Sequence, residues 1–129
     1  ITPSTSTIAK AVMGRWCDMR HPAICTLYSI SPERGGLFFL HAYHPAAQTL
    51  RQRFIDLRGA LLAESLMWRL LVQLVSGVHY AHVRGIPVRN ISISHVLLTS
   101  STMARISGVG IVDVLEADSR KNASDLMGI

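Results

Sequence analysis

The chain has 129 residues, of which 49% are apolar and 16% charged, with a formal net charge of +5. That is enough apolar material for the core of one ordinary domain, or a piece of a larger one, and it excludes a disordered tail. No apolar run approaches the roughly 20 residues of a membrane span. The longest mixed run, 60–83, is broken by Glu64, Arg69 and Gln73. The opening ITPSTST has neither a basic n-region nor an apolar h-region, so no signal peptide is read there. With no starting Met and no closing element after LMGI, a segment of a longer chain is expected. Eleven of the thirteen basic residues are Arg, which favours contact with phosphates or an acidic partner, but they are scattered from Arg15 to Arg120. Solvated faces account for that scatter better than a dedicated nucleic-acid groove. Cys17 and Cys25 lack metal-ligand spacing and read as buried thiols of a reduced intracellular protein.

In chain order, TSTIAKAVMGRWCDMRHP predicts a helix. Ile8, Val12, Trp16 and Met19 form one apolar stripe, Ser6 or Thr7 caps the start, and His21-Pro22 ends it. ICTLYSI and LFFLHAY predict two strands, with SPERGG as the loop between them. HPAAQTLRQRFIDLRGALL predicts a short helical turn before Gly59. From about Ala63 to His82 a long helix is expected. Leu66, Leu70, Leu74 and Val78 form one stripe, and Met67, Leu71 and Val75 a second beside it, as on a largely buried helix that Gly85 ends. VLLT and ARIS predict two short strands joined by SSTM, with GVGIVDVLE following. The expected fold class is α+β.

Residues 85–99, GIPVRNISISHVLLT, fit the frame of the protein-kinase catalytic loop, G-I-x-H-R-D-L-x-x-x-N-V/I-L-L. Val88 stands at the His position, Asn90 at the Asp and His95 at the Asn, while Arg89 and the apolar anchors Ile91, Val96, Leu97 and Leu98 remain. Phosphoryl transfer of the kinase type needs an Asp to take the substrate proton, and an Asp and an Asn to hold Mg²⁺. From Ser65 to Val112 there is no Asp or Glu; the DFG slot reads Gly108-Val109-Gly110, and the αC Glu falls near Val12. A neutral amide is no general base near pH 7, and His95 is a poor magnesium ligand. No catalytic residue and no metal ligand is therefore assigned.

The resemblance extends upstream. RWCDMRHPAICTLYSI looks like a kinase αC helix followed by its next strand, and LFFLHAYHP like the strand into the hinge. It implies a protein-kinase-like, pseudokinase fold, present as a partial domain from the αC helix to just after the DFG equivalent. Residues 1–44 would be a remnant of the small lobe and 45–129 the first part of the large lobe. LFFLHAYHPAAQTL, LLAESLMWRLLVQL and MARISGVGIVDVLEAD together resemble the regulatory pseudokinase subunit of the PAN poly(A) deadenylation complex. Departures from that family's pattern include Ala63 for Pro, Gly108 for a residue that is often Cys, and a shortened stretch between hinge and helix.

The resemblance implies a non-catalytic, cytoplasmic scaffold that binds ATP without hydrolysing it and forms a homodimer. It further implies partnership with a catalytic nuclease subunit, poly(A)-binding protein and poly(A) RNA. Adenine would lie along the backbone of Ala42, Tyr43, His44, Pro45, Ala46, Ala47, Gln48 and Thr49, since main-chain groups of any residue serve. The phosphates would lie near Ser94 and His95, where His95 replaces what is often a Lys. Two alternatives stay open: a degenerate kinase segment that binds no nucleotide and acts as an interaction module, and a divergent active Ser/Thr kinase. Of the other residues, His82 is expected to be a buried structural histidine. His41 and His44 lack companion ligands for a metal. Asp113 is read as structural, and Trp16 and Trp68 as packing residues.

Overall fold

A computed structural model describes residues 3–33 and 36–116, with only the backbone described for 3–9, 32 and 33. Helix α1 spans Pro3–Asp18, strands β1 and β2 span Leu27–Glu33 and Gly36–His41, and β3 is the two-residue Gln48–Thr49. Helices α2 and α3 follow at Leu50–Leu57 and Glu64–Val83, then strands β4 at Val96–Ser100 and β5 at Met103–Ile106. A last helical run, α4, is described over 111–116. β1 and β2 form an antiparallel pair, and a second sheet has the order β3-β4-β5, antiparallel throughout. The α+β class read from the sequence holds at this level.

Helix α1 begins earlier than expected, so Ser6 and Thr7 lie inside it rather than capping it. Pro3 is its first residue, where a missing N–H costs nothing and the fixed φ suits the helix. Val12, Trp16 and Met19 are buried, as the stripe predicts; the side chain of Ile8 lies outside the described residues. The strands reach Glu33 and Gly36, so the expected six-residue loop shrinks to residues 34–35, which are not described. Pro32 is tolerated there because a two-stranded sheet is all edge.

The end of α3 is closed by two backbone bonds, Gly85 N–H to the His82 carbonyl and Ile86 N–H to the Ala81 carbonyl. This is a Schellman motif, with Gly85 in the left-handed region at φ 84° and Ile86 buried against the helix. Leu70 is buried, and Leu66, Leu74 and Val78 are partly buried against the core. The second stripe differs from expectation: Met67, Leu71 and Val75 are about half exposed, as is Trp68 at 60%. Among the described residues, helix α3 has packing partners on one face only. His82 is exposed as well, because it follows the buried Ala81 around the helix and turns away from the core.

Two parts of the molecule meet at β5. Cys25 N–H donates to the Ile106 carbonyl at 2.9 Å and Ile106 N–H to the Ala23 carbonyl at 2.8 Å, a parallel bridge that ties the segment after α1 to the three-stranded sheet. The larger buried cluster, which includes Trp16, Met19, Ile24, Ile86 and Ile106, lies around this bridge. A smaller one joins Leu70 to Val96, Leu98 and Ala104. Gln73, a polar interruption in the sequence pattern, clamps the β4–β5 hairpin. Its Nε2 donates to the Thr102 carbonyl at 2.8 Å, and its Oε1 accepts from the Ala104 N–H at 2.9 Å.

Candidate functional site

The loop from 85 to 95 runs from the end of α3 to β4 and faces the turn at 108–110. Val88 packs against the larger core, while Ile91, expected as an anchor, is 50% exposed. Val96 and Leu98 are buried as strand residues, and Leu97, on the opposite face, is partly buried. Among the described residues, Arg89 contacts carboxylates and not backbone groups. Its Nε lies 3.2 Å from Asp113 Oδ1 and its Nη1 2.9 Å from Glu116 Oε2. The first carboxylate after the glycine turn is therefore a structural partner, with its side chain only 15% exposed.

The next position carries a different signal. Both the Oδ1 and Nδ2 atoms of Asn90 are buried without a hydrogen-bond partner among the described residues. Gly108, at φ 65°, presses against this amide; a Cβ there would lie 3.2 Å from Asn90 Nδ2. Val109 is buried, and a Cβ on Gly110 would lie 2.9 Å from Trp16 Cε3. The turn is thus built for close packing: one glycine against an amide, the other under an indole. Among the described residues, no three His, Cys, Asp or Glu side chains converge as metal ligands.

The two groups of residues singled out for a nucleotide come together in part. Gln48 and Thr49 pair with Leu98 and Leu97 of β4, and Arg51 N–H donates to the Ile93 carbonyl at 3.0 Å, so the end of the 42–49 segment lies beside the loop that ends at His95. Ala42 is at the other end; its N–H is taken by the Thr26 carbonyl. Ala47 N–H is taken by the His44 carbonyl, closing a turn around Pro45 and Ala46. The N–H groups of Tyr43, His44 and Ala46 have no backbone acceptor among the described residues, and Tyr43 is 84% exposed. The Nε2 of His44 is buried without a partner there. The Thr49 hydroxyl caps α2 by accepting from the Gln52 N–H. Ser94 is exposed, whereas His95 is half-buried, its Nδ1 2.7 Å from the Ser92 hydroxyl and its carbonyl bound by Ser107.

Sequence reasoning passed over His21. Its Nδ1 accepts from the Ala23 N–H at 2.9 Å and its Nε2 meets the Ser76 hydroxyl at 3.1 Å, joining the end of α1 to α3. Burial, with Arg84 and Arg105 nearby, holds its pKa below the ordinary imidazole value. The only hint in the sequence is a His before Pro at a helix end. Cys17 and Cys25 are free thiols, and burial pushes both up. Among the described residues no helix is long and apolar enough to cross a membrane.

At the level of class, the fold and this site define a small mixed α/β domain whose loop arginine is held in a structural ion pair. No protein-family profile matches the chain. It is 35% identical over 119 residues to the PAN2-PAN3 deadenylation complex subunit pan3 of Dictyostelium discoideum, an alignment covering 88% of this chain and 16% of that protein. It is 29% identical over 123 residues to the PAN3 subunit of Neosartorya fischeri (86% and 19%), and 25% identical over 147 residues to that of Homo sapiens (94% and 17%). Over the aligned stretch the chain is a homologue of these PAN3 subunits. It spans between a sixth and a fifth of the length of the curated relatives it matches.

Proposed function

We propose that this chain is the central part of a kinase-like, non-catalytic scaffold within a subunit of a PAN2-PAN3 deadenylation complex. The carrying observation is the loop at 85–95 in a homologue of PAN3 subunits: Arg89 is kept in an ion pair with Asp113, while Asn90 and Gly108 stand where carboxylates would serve phosphoryl transfer. The order helix, strand pair, connecting segment, long helix, loop and strand pair supports the kinase-like reading, with 1–44 as small-lobe remnant and 45–129 as the start of the large lobe. In this reading the subunit acts in the cytoplasm, pairs with a second copy, and helps bring a PAN2-type nuclease and poly(A)-binding protein to poly(A) RNA.

ATP would be bound and not hydrolysed. The residues fit it in part: the free N–H groups of Tyr43, His44 and Ala46 suit an adenine edge, and the Ser94 hydroxyl and the outer face of His95 suit phosphate. Bound ATP would supply rigidity, not chemistry. The nucleotide-free interaction module remains a second reading, favoured by the internal use of Ala42 N–H, Ala47 N–H and the Thr49 hydroxyl.

Calorimetric titration of ATP and adenosine into the full-length subunit separates the two readings. Binding of both, with His95→Glu costing more affinity for ATP than for adenosine, supports the pocket; no binding of either selects the interaction module. Co-purification with the PAN2-type partner, and faster poly(A) shortening when the subunit is added, are the expected results for the scaffold role. Phosphate transfer to a generic substrate that disappears in Asn90→Ala overturns it.

A further inference from the structure

A cavity of about 400 Å³ lies between α2, α3 and the β4–β5 turn, bordered by Ala46 at its edge. Its floor is apolar, with Leu66, Leu70 and Leu98, and its polar wall carries Arg53, Gln48 and Ser101. Arg53 is half-buried, and its guanidinium has no hydrogen bond or ion pair among the described residues. The nearest carboxylate on the same helix in sequence, Asp56, is held by Gln52 Nε2 at 2.9 Å. The Gln48 side chain also has no partner there. A cation half out of water and without a counter-ion, beside an unpaired amide and over three leucines, is complementary to one chemistry: an anion on an aliphatic body. The planar fork of an arginine matches a carboxylate bidentately, and a volume of this size suits a small ligand or two side chains of a peptide.

We propose that this cavity binds an aliphatic carboxylate, its charged end on Arg53 and Gln48 and its hydrocarbon on the leucine floor. The carboxylate comes either from a free fatty-acid-like molecule or from an acidic residue next to leucines in a partner's peptide. The cavity shares Ala46 and Gln48 with the segment read as the adenine edge, but its charged contact is Arg53 on α2, which the nucleotide reading does not use.

The test uses the full chain with three probes: octanoate, octylamine, and the blocked peptide acetyl-Glu-Leu-Leu-amide. Amide NMR shifts at Thr99–Ser101 and on α2 report occupancy. Octanoate or the peptide is expected to bind at least tenfold more tightly than octylamine. Arg53→Gln should lose that preference, and Arg53→Lys should keep part of it. Tighter binding of octanoate assigns the free acid, and tighter binding of the peptide assigns a partner segment. Equal binding of octanoate and octylamine, an unchanged preference in either Arg53 variant, or no shift with octanoate and peptide alike overturns the proposal.

Discussion

At the scale of single residues, the glycine turn behaves as packing material. Replacing Gly110 by Ala puts a methyl group 2.9 Å from the buried Trp16 ring, where neither neighbour has room to retreat. Overpacking of this kind costs about 1–3 kcal/mol. Gly14, on α1, has open space around its Cβ position, so Gly14→Ala should instead stabilise by up to about 1 kcal/mol through helix propensity. Urea unfolding midpoints of the two variants are expected to move in opposite directions. His21 gives a pH dependence with a defined sign. Its Nδ1 accepts from the Ala23 N–H, so the folded state requires the neutral ring, and Tyr80, Arg84 and Arg105 around it offer no carboxylate to stabilise the charged form. The folded pKa lies below the unfolded value of about 6.5, so this contribution is complete above pH 6.5 and fades as pH falls through the depressed value. His41, lowered by partial burial, adds in the same direction. The melting temperature should drop from pH 7.5 to pH 5, and less steeply in His21→Asn, whose amide oxygen can still accept from Ala23.

At the scale of elements, α3 marks where the sequence was legible and where it was not. The stripe through Leu70, the stop at Gly85 and the hairpin of β4 and β5 are local patterns, set by periodicity and turn chemistry, and the structure contains them. Burial of the second stripe, of Trp68 and of His82 was inferred from apolarity or analogy. Those properties depend on what lies opposite, and among the described residues nothing covers Met67, Leu71 and Val75. Met67 and Leu71, with Leu50, Phe54 and Trp68, line a second cavity of about 390 Å³. An exposed apolar surface of this extent drives association in water. The 129-residue chain alone is expected to form oligomers at micromolar concentration, and Leu71→Glu should raise the monomer fraction in sedimentation velocity with little change in helix content.

At the scale of the whole molecule, what escaped the sequence was pairing over distance. Arg89 was recognised as a retained loop residue, but its partner Asp113 became evident only once α4 was folded back onto the loop. The nucleotide candidates at 42–49 and 94–95 were placed by resemblance. Their proximity rests on the Arg51–Ile93 bond and on the pairing of β3 with β4, neither of which a periodicity can reveal. The Arg53 cavity was equally hidden, since its walls come from three separate stretches of chain.

The bridge between residues 23–25 and Ile106 sets an order of events in time. The contacts that seat the first third of the chain span most of its length; Arg105 Nη1 reaches the Ile24 carbonyl 81 positions away. Local helices and the β4–β5 hairpin form on microsecond scales, whereas a closure of this length follows more slowly. The two tryptophans report the two phases separately, because Trp16 is buried beside the bridge and Trp68 is largely in solvent. In a Trp68→Phe variant refolding from urea, helical circular dichroism should recover before Trp16 emission shifts to the blue. During synthesis the first strand pair emerges long before the strand that anchors it, so a chain arrested before residue 103 presents Trp16 and Ile24 without their lid.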